Sequence, residues 1–184
     1  MKFVAIVALP SELPIDFWPF DEPIVYSGVG KLNAAFTAMN VITKYQPKLV
    51  INLGTAGALN SALRNVVEIK TVLQRDFDAE PLAPRGSVPF DTFPSELHSG
   101  YGDASCGTGD TFVRSKEDWL KLNKVDLVDM ELFAIAKICV QLNTPWRSFK
   151  FISDYVNSAS DSEWKQNLEK SHVELIKFIR NKLN

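Results

Sequence analysis

The stretch "PIVYSGVGKLNAAFTAMNVITKYQPKLVINLGTAG", residues 23–57, sets the fold class. It opens on a short β-branched and aromatic run that ends at glycines, as a strand does where the chain must turn. From Lys31 to Tyr45 the pattern changes, and Leu32, Ala35, Phe36, Met39 and Ile42 recur at helical spacing. Lys48 to Leu53 is apolar and strand-like again, closed by "GTAG". The stretch therefore reads as strand, helix, strand. Upstream, Lys2 to Leu9 is almost wholly apolar, as expected of a central strand covered on both faces.

Working outward, Val66 to Leu73 reads as a strand, and residues 76–107 as a long proline- and glycine-rich loop region that either carries function or contains short strands. "DTFV" (110–113) reads as a short strand and "SKEDWLKL" (115–122) as a short helix opened by a serine cap. "VDLVDM" (125–130) is a strand, "ELFAIAKICVQLN" (131–143) a helix and "WRSFKFIS" (146–153) a strand. Ser162 to Leu183 is a long amphipathic helix. Strands alternating with helices predict one α/β domain over residues 1–184, a three-layer αβα sandwich around a central mixed, twisted sheet.

Composition narrows the function. The chain of 184 residues is 46% hydrophobic and 23% charged, which is ordinary for a globular protein. Twenty basic against twenty-two acidic residues give a net charge of −2. No overall field then draws the protein to nucleic acid or to anionic lipid, and a small neutral ligand suits it better. "FVAIVAL" (3–9) is too short to span a membrane. Cys106 and Cys139 lack metal-site or redox spacing and read as reduced thiols, which points to the cytoplasm. His98 and His172 form no ligand spacing, so neither metal nor cofactor is expected.

Ligands of open α/β sheets bind beyond the carboxyl ends of the strands. Glu12 follows the first strand, Gly54, Thr55, Ala56 and Gly57 the "LVINL" strand, Glu131 the "VDLVDM" strand and Asp154 the "FKFIS" strand. Each carboxylate alone reads first as an ordinary loop or cap residue; their coincidence on one rim carries the functional reading. "GVGK" (28–31) is neither a dinucleotide fingerprint nor a phosphate-binding loop. "GTAG" reads as a tight turn or as backbone open to a flat ligand, and Phe112 of "GTGDTFV" as a core residue or a stacking surface.

Taken in order, "MKFVAIVALPSEL", "SGVGKLNAAFTAMNVITKYQPKLVINLGTAGAL", "GTGDTFV", "LVDMELFAIAKIC" and "FKFISDYVNSAS" resemble the nucleoside phosphorylase superfamily and, within it, the 5′-methylthioadenosine/S-adenosylhomocysteine nucleosidases. The resemblance implies hydrolysis of the bond between adenine and ribose in methionine salvage, by a homodimer. Breaking that bond puts positive charge on the sugar and negative charge on the purine, so the base needs a proton and the sugar a water. Residue by residue, it implies that Asp154 protonates purine N7, oriented by Ser153, and that Glu12 positions and deprotonates the water. Glu131 would accept hydrogen bonds from the ribose hydroxyls with Met130 packed on the sugar. Phe112 would stack on adenine, Val113 read its edge through the backbone, and Thr55, Ala56 and Gly57 line the floor. An acid such as Asp154 would need a raised pKa or a proton shared with the base.

The alternatives are phosphorolysis, a nucleoside-binding relic without catalysis, and a structural domain that kept only the fold. Superfamily phosphorylases hold phosphate with arginines near the first loop and before the second glycine segment. "ALPSEL" and Asn52-Leu53 have none, although Arg64, Arg75 and Arg85 lie elsewhere. The chain is also shorter than a usual member, Leu132 and Phe133 stand where small residues are usual, and Lys150 where arginine is common. Trp18, Phe90, Phe93 and Tyr101 are candidates for a 5′ pocket, with core packing the competing role.

Overall fold

The structure, a computed structural model, describes residues 2–115, 117–156 and 160–183. Among the described residues, eight strands and four α-helices, with a 3-10 turn at Ile15–Phe17, follow in the order β1 (Val4–Val7), β2 (Ile24–Tyr26), α1 (Lys31–Tyr45), β3 (Val50–Ala58), β4 (Val66–Gln74), β5 (Glu96–His98), β6 (Ala104–Thr108), α2 (Asp118–Leu122), β7 (Leu127–Asp129), α3 (Leu132–Gln141), β8 (Trp146–Tyr155) and α4 (Ser160–Leu183).

The strands form one mixed sheet, as expected. β2, β1, β3 and β8 run parallel, β1 pairing Val4 with Val50 and β3 pairing Val50 with Trp146. β8 then turns onto β4 in antiparallel register (Val66 opposite Phe151), β4 and β6 and then β6 and β7 pair in parallel, and β7 returns to β3 (Gly57 opposite Val128). Five of the eight strands (β3, β8, β4, β6 and β7) thus close into a ring, which leaves β2 and β5 as the edges and gives the rim a concave mouth.

The period-two pattern of β1 separates two cores. Val4 and Ile6 join Ala34, Ala38 and Val41 of α1 and Leu132, Ile135 and Cys139 of α3 on one face. Phe3, Ala5 and Val7 join Ile51, Leu53, Phe149 and Phe151 with Leu175 and Ile179 of α4 on the other. Those two faces give the sandwich its layers. The bulky Leu132 and Phe133 are both buried, so α3 docks through large side chains while α1 meets it through alanines.

Several elements differ from the sequence expectation. "GTAG" is no turn: β3 runs straight through it to Ala58. Residues 110–113 form no strand, while the loop-rich region holds short strands, β5 and most of β6, one of the two readings open for it. β6 reads "ASCGT", small and weakly β-prone, and is a strand because it is walled in by β4 and β7. α2 begins at Asp118 with Glu117 at its N-cap, not with a serine cap. α1 buries Ala34, Ala38, Val41 and Ile42, whereas Leu32 and Phe36 of the expected apolar face are 83% and 70% exposed. The alanine face wins because it allows α1 and α3 to approach closely. Cys106 and Cys139 are buried and unbridged, and burial pushes the Cys139 thiol up to about 12. Among the described residues no helix is long and apolar enough to cross a membrane, and no cluster could hold a metal ion.

Candidate active site

At the mouth of the ring lies a cavity of about 230 Å³. Its wall contains all ten residues named from the sequence: Glu12, Thr55, Ala56, Gly57, Phe112, Val113, Met130, Glu131, Ser153 and Asp154. Five separate segments supply them, so only the closed sheet brings them together.

Glu12 sits in the turn after β1, where its N–H donates to the Leu9 carbonyl at 3.1 Å. Its buried carboxylate is held from two sides. Oε1 accepts from the Thr55 N–H (2.8 Å) and the Thr55 hydroxyl (2.6 Å), and Oε2 from the Leu9 N–H (3.2 Å). Gly54 gives this carboxylate room, because a Cβ there would stand 3.1 Å from Oε1.

Asp154 lies within β8, not after it. The pairing with β3 shifts register between Ala56 and Gly57, leaving Ser153 as the extra residue of a bulge and Asp154 opposite Gly57. Such bulges re-aim side chains. Here the Ser153 hydroxyl donates to Asp154 Oδ1 at 2.8 Å, and a Cβ on Gly57 would come within 2.9 Å of Oδ2. The two strand glycines of "GTAG" are thus spaces for two carboxylates, one on each. Neither alternative drawn from the sequence, a turn or a flat-ligand floor, includes that use.

Glu131 occupies the N-cap position of α3 and accepts one hydrogen bond, from the Gly30 N–H at 2.9 Å. Gly30 has φ of 95°, a conformation that glycine adopts freely, and this turns its N–H toward the carboxylate. Burial, then the neighbouring charge of Asp129, raises the Glu131 carboxyl to about 7. Asp129 is itself fully partnered: Lys150 Nζ lies 2.8 Å from Oδ2, the Thr108 hydroxyl donates to Oδ1 at 2.5 Å and the Leu132 N–H to Oδ2 at 2.9 Å. Burial works to raise the Asp129 carboxyl, but Lys150 and these donors hold it below its usual value. Burial works to lower the ammonium of Lys150, but Asp129 and Glu131 hold it above its usual value. This buried pair, with the Thr108 hydroxyl accepting from the Phe133 N–H, caps α3 and fixes the start of the helix that carries Glu131.

The opposite lip is the segment 109–113. Phe112 is 39% exposed and lines the cavity, so of its two readings it is a wall residue and not a core residue. Arg75 shapes this segment from below: its guanidinium donates to the carbonyls of Gly107 (3.2 Å) and Gly109 (3.0 Å), to the Thr111 hydroxyl (3.0 Å) and to the Thr111 carbonyl. Asp76 accepts from the Asp110 N–H (2.7 Å) and from Lys31 Nζ (2.5 Å), tying the lip to the start of α1.

Sequence reasoning missed Arg75 as a wall residue, the Asp129–Lys150 pair and Trp164. Arg75 and Lys150 carried the faint signal of a charge next to or inside an apolar strand. Trp164 carried none, being one aromatic on an amphipathic helix. The aromatic candidates Trp18, Phe90, Phe93 and Tyr101 do not line the cavity. Trp18 packs on Phe3 and Phe20, Phe93 on the core, Tyr101 lies under Arg147, and Phe90 is 95% exposed.

Fold and rim together define an α/β protein with a carboxylate-lined ligand pocket at the closed end of a mixed sheet. Residues 23–181 match the family described as the phosphorylase superfamily. The chain is 32% identical to the 5′-methylthioadenosine/S-adenosylhomocysteine nucleosidase of Staphylococcus aureus (strain MRSA252), over 82% of this chain and 75% of that protein. The structure of the corresponding nucleosidase from Colwellia psychrerythraea 34H, in complex with adenine, superposes with a TM-score of 0.80 and 25% identity, covering 95% of this chain and 90% of that one. Futalosine hydrolase of Helicobacter pylori strain 26695 superposes with a TM-score of 0.87 at 21% identity, covering 98% and 96%, and so shares the fold. The chain belongs to the phosphorylase superfamily and, within it, to the 5′-methylthioadenosine/S-adenosylhomocysteine nucleosidases.

Proposed function

We propose that the protein hydrolyses the N-glycosidic bond of a purine nucleoside, with 5′-methylthioadenosine the favoured substrate and adenine the released base. The observation that carries this reading is the meeting of Glu12, Glu131 and Asp154 on one cavity beside an aromatic lip. Water forms a bond to C1′ as the C1′–N9 bond breaks and its electron pair leaves with the purine. Asp154 donates a proton to N7 while Glu12 takes one from the water, so the net change is the addition of one water. Glu131 and Met130 hold the sugar, Phe112 and Val113 the base, and Ser153 orients Asp154.

Water is favoured over phosphate as acceptor by the state of Arg75. It is the arginine of the cavity wall, and four of its donor positions are spent on backbone and hydroxyl oxygens of the lip. An arginine so committed is a brace and not a phosphate receptor.

The reading extends to the whole chain acting as one domain, to a homodimer, to the cytoplasm and to methionine salvage. The exposed Leu32 and Phe36 of α1, close in sequence to the cavity residue Val29, support a partner subunit at that face. Two buried thiols without a disulfide support a reducing compartment.

A panel of nucleosides screened for free base tests the proposal. Release of the free base from 5′-methylthioadenosine is expected to exceed that from adenosine or inosine. Release from none of them overturns the reading.

A further inference from the structure

We propose that Trp164 of α4 is a positioning residue for Glu12, acting through the Thr55 hydroxyl; this rests on the nucleosidase reading of the site. The Trp164 indole N–H donates to Thr55 Oγ1 at 2.9 Å, and Thr55 Oγ1 donates to Glu12 Oε1 at 2.6 Å. An indole N–H is a donor and never an acceptor, so the chain has one direction. With a lone pair of Oγ1 taken by Trp164, the single hydroxyl proton is committed to Glu12. Serial hydrogen bonds in a low-dielectric site also polarise one another and stiffen the set.

The consequence falls on the two carboxylate oxygens unequally. Oε1 receives two short bonds, both from Thr55, whereas Oε2 receives one longer bond from Leu9. Oε2 therefore keeps acceptor capacity for the attacking water, and Trp164 fixes which oxygen that is. Two further residues of the same helix support the arrangement. Ser171 donates to the Glu12 carbonyl at 2.9 Å, and Asn167 donates to the Ser153 carbonyl at 2.8 Å, next to Asp154. Spaced by three and four residues, Trp164, Asn167 and Ser171 lie on one side of α4 and set the register of both catalytic segments. Among the described residues, α4 is thus part of the active-site frame as well as a cover for the sheet.

The test is a double-mutant cycle of Trp164→Phe with Thr55→Val. Phenylalanine keeps an aromatic ring in the wall and removes only the donor, and valine is nearly isosteric with threonine. In otherwise wild-type protein, W164F is expected to lower kcat for adenine release about tenfold and to leave KM within about twofold, the loss of one buried hydrogen bond that acts in the transition state. In the T55V background it should have almost no further effect on kcat. The same cycle read by thermal unfolding, with no substrate present, should show a Tm loss of about 2–4 °C for W164F with Thr55 present and close to none in T55V. Asn167→Ala, which lies off the relay, should lower Tm equally in both backgrounds. Equal losses for W164F in both backgrounds, or an unchanged kcat, would overturn the relay. Because the unfolding cycle needs no turnover, a protein that releases no base would sink the nucleosidase reading and still leave the relay to be judged.

Discussion

The two glutamates that flank the cavity are buried alike and held differently. Glu12 meets three donors, two of them on one oxygen, and stands beside a strand glycine that gives it room. Glu131 meets one backbone N–H and shares its surroundings with a second carboxylate, Asp129, so its carboxyl rises to about 7. Glu12 is held in one orientation with most of its donors on a single oxygen. Glu131, with one donor and a raised carboxyl, keeps the acceptor capacity that the proposed function assigns to the ribose hydroxyls.

The comparison breaks most visibly at Glu12. Glu12→Gln keeps the shape and the Oε1 acceptor but removes the proposed base, and kcat for adenine release is expected to fall by about 10²–10⁴ while KM changes little. Lys150→Met attacks the other corner. It leaves Asp129 buried without its cation, and denaturant unfolding at neutral pH should show a loss of about 3–5 kcal/mol. A loss under 1 kcal/mol would mean that the pair does not hold the start of α3.

Glu131→Gln sharpens the contrast by its sign. The folded protein keeps a proton on Glu131 between the unfolded value of 4.5 and about 7, so wild-type stability falls as pH rises through that window and levels off above it. The variant has no such slope. It should match the wild type near pH 4.5 and exceed it by up to about 3 kcal/mol at pH 8, while binding nucleoside more weakly. A gain that shrinks toward high pH would contradict the environment assigned to Glu131. The smallest effect is expected for Gly54→Ala. Its new Cβ would lie 3.1 Å from Glu12 Oε1, a contact relieved by a shift of a few tenths of an ångström. A several-fold loss of kcat at nearly unchanged Tm is the expected outcome, of the order of 1 kcal/mol in the barrier.

Much of this corner-by-corner picture was legible in the chain. β1, β3 and β8 declare themselves as apolar runs, and the rule that ligands gather beyond strand ends collects Glu12, Glu131 and Asp154. The parts that were hidden depend on tertiary context. "GTAG" looks like a turn because glycine is rare in strands; only the structure gives each glycine a carboxylate to accommodate. β6 is invisible because its small residues gain strand character from their neighbours. The apolar stripe Leu32, Phe36 and Met39 points away from the core because periodicity identifies a face and not what covers it. Trp164 reaches Thr55 from more than a hundred residues away, beyond any local pattern.

The central claim is hydrolysis at this site, and adenine release from 5′-methylthioadenosine, measured without phosphate and again at saturating phosphate, tests it most directly. Equal rates are expected in both, with free methylthioribose as the sugar product. Release that requires phosphate and yields a sugar phosphate would contradict it.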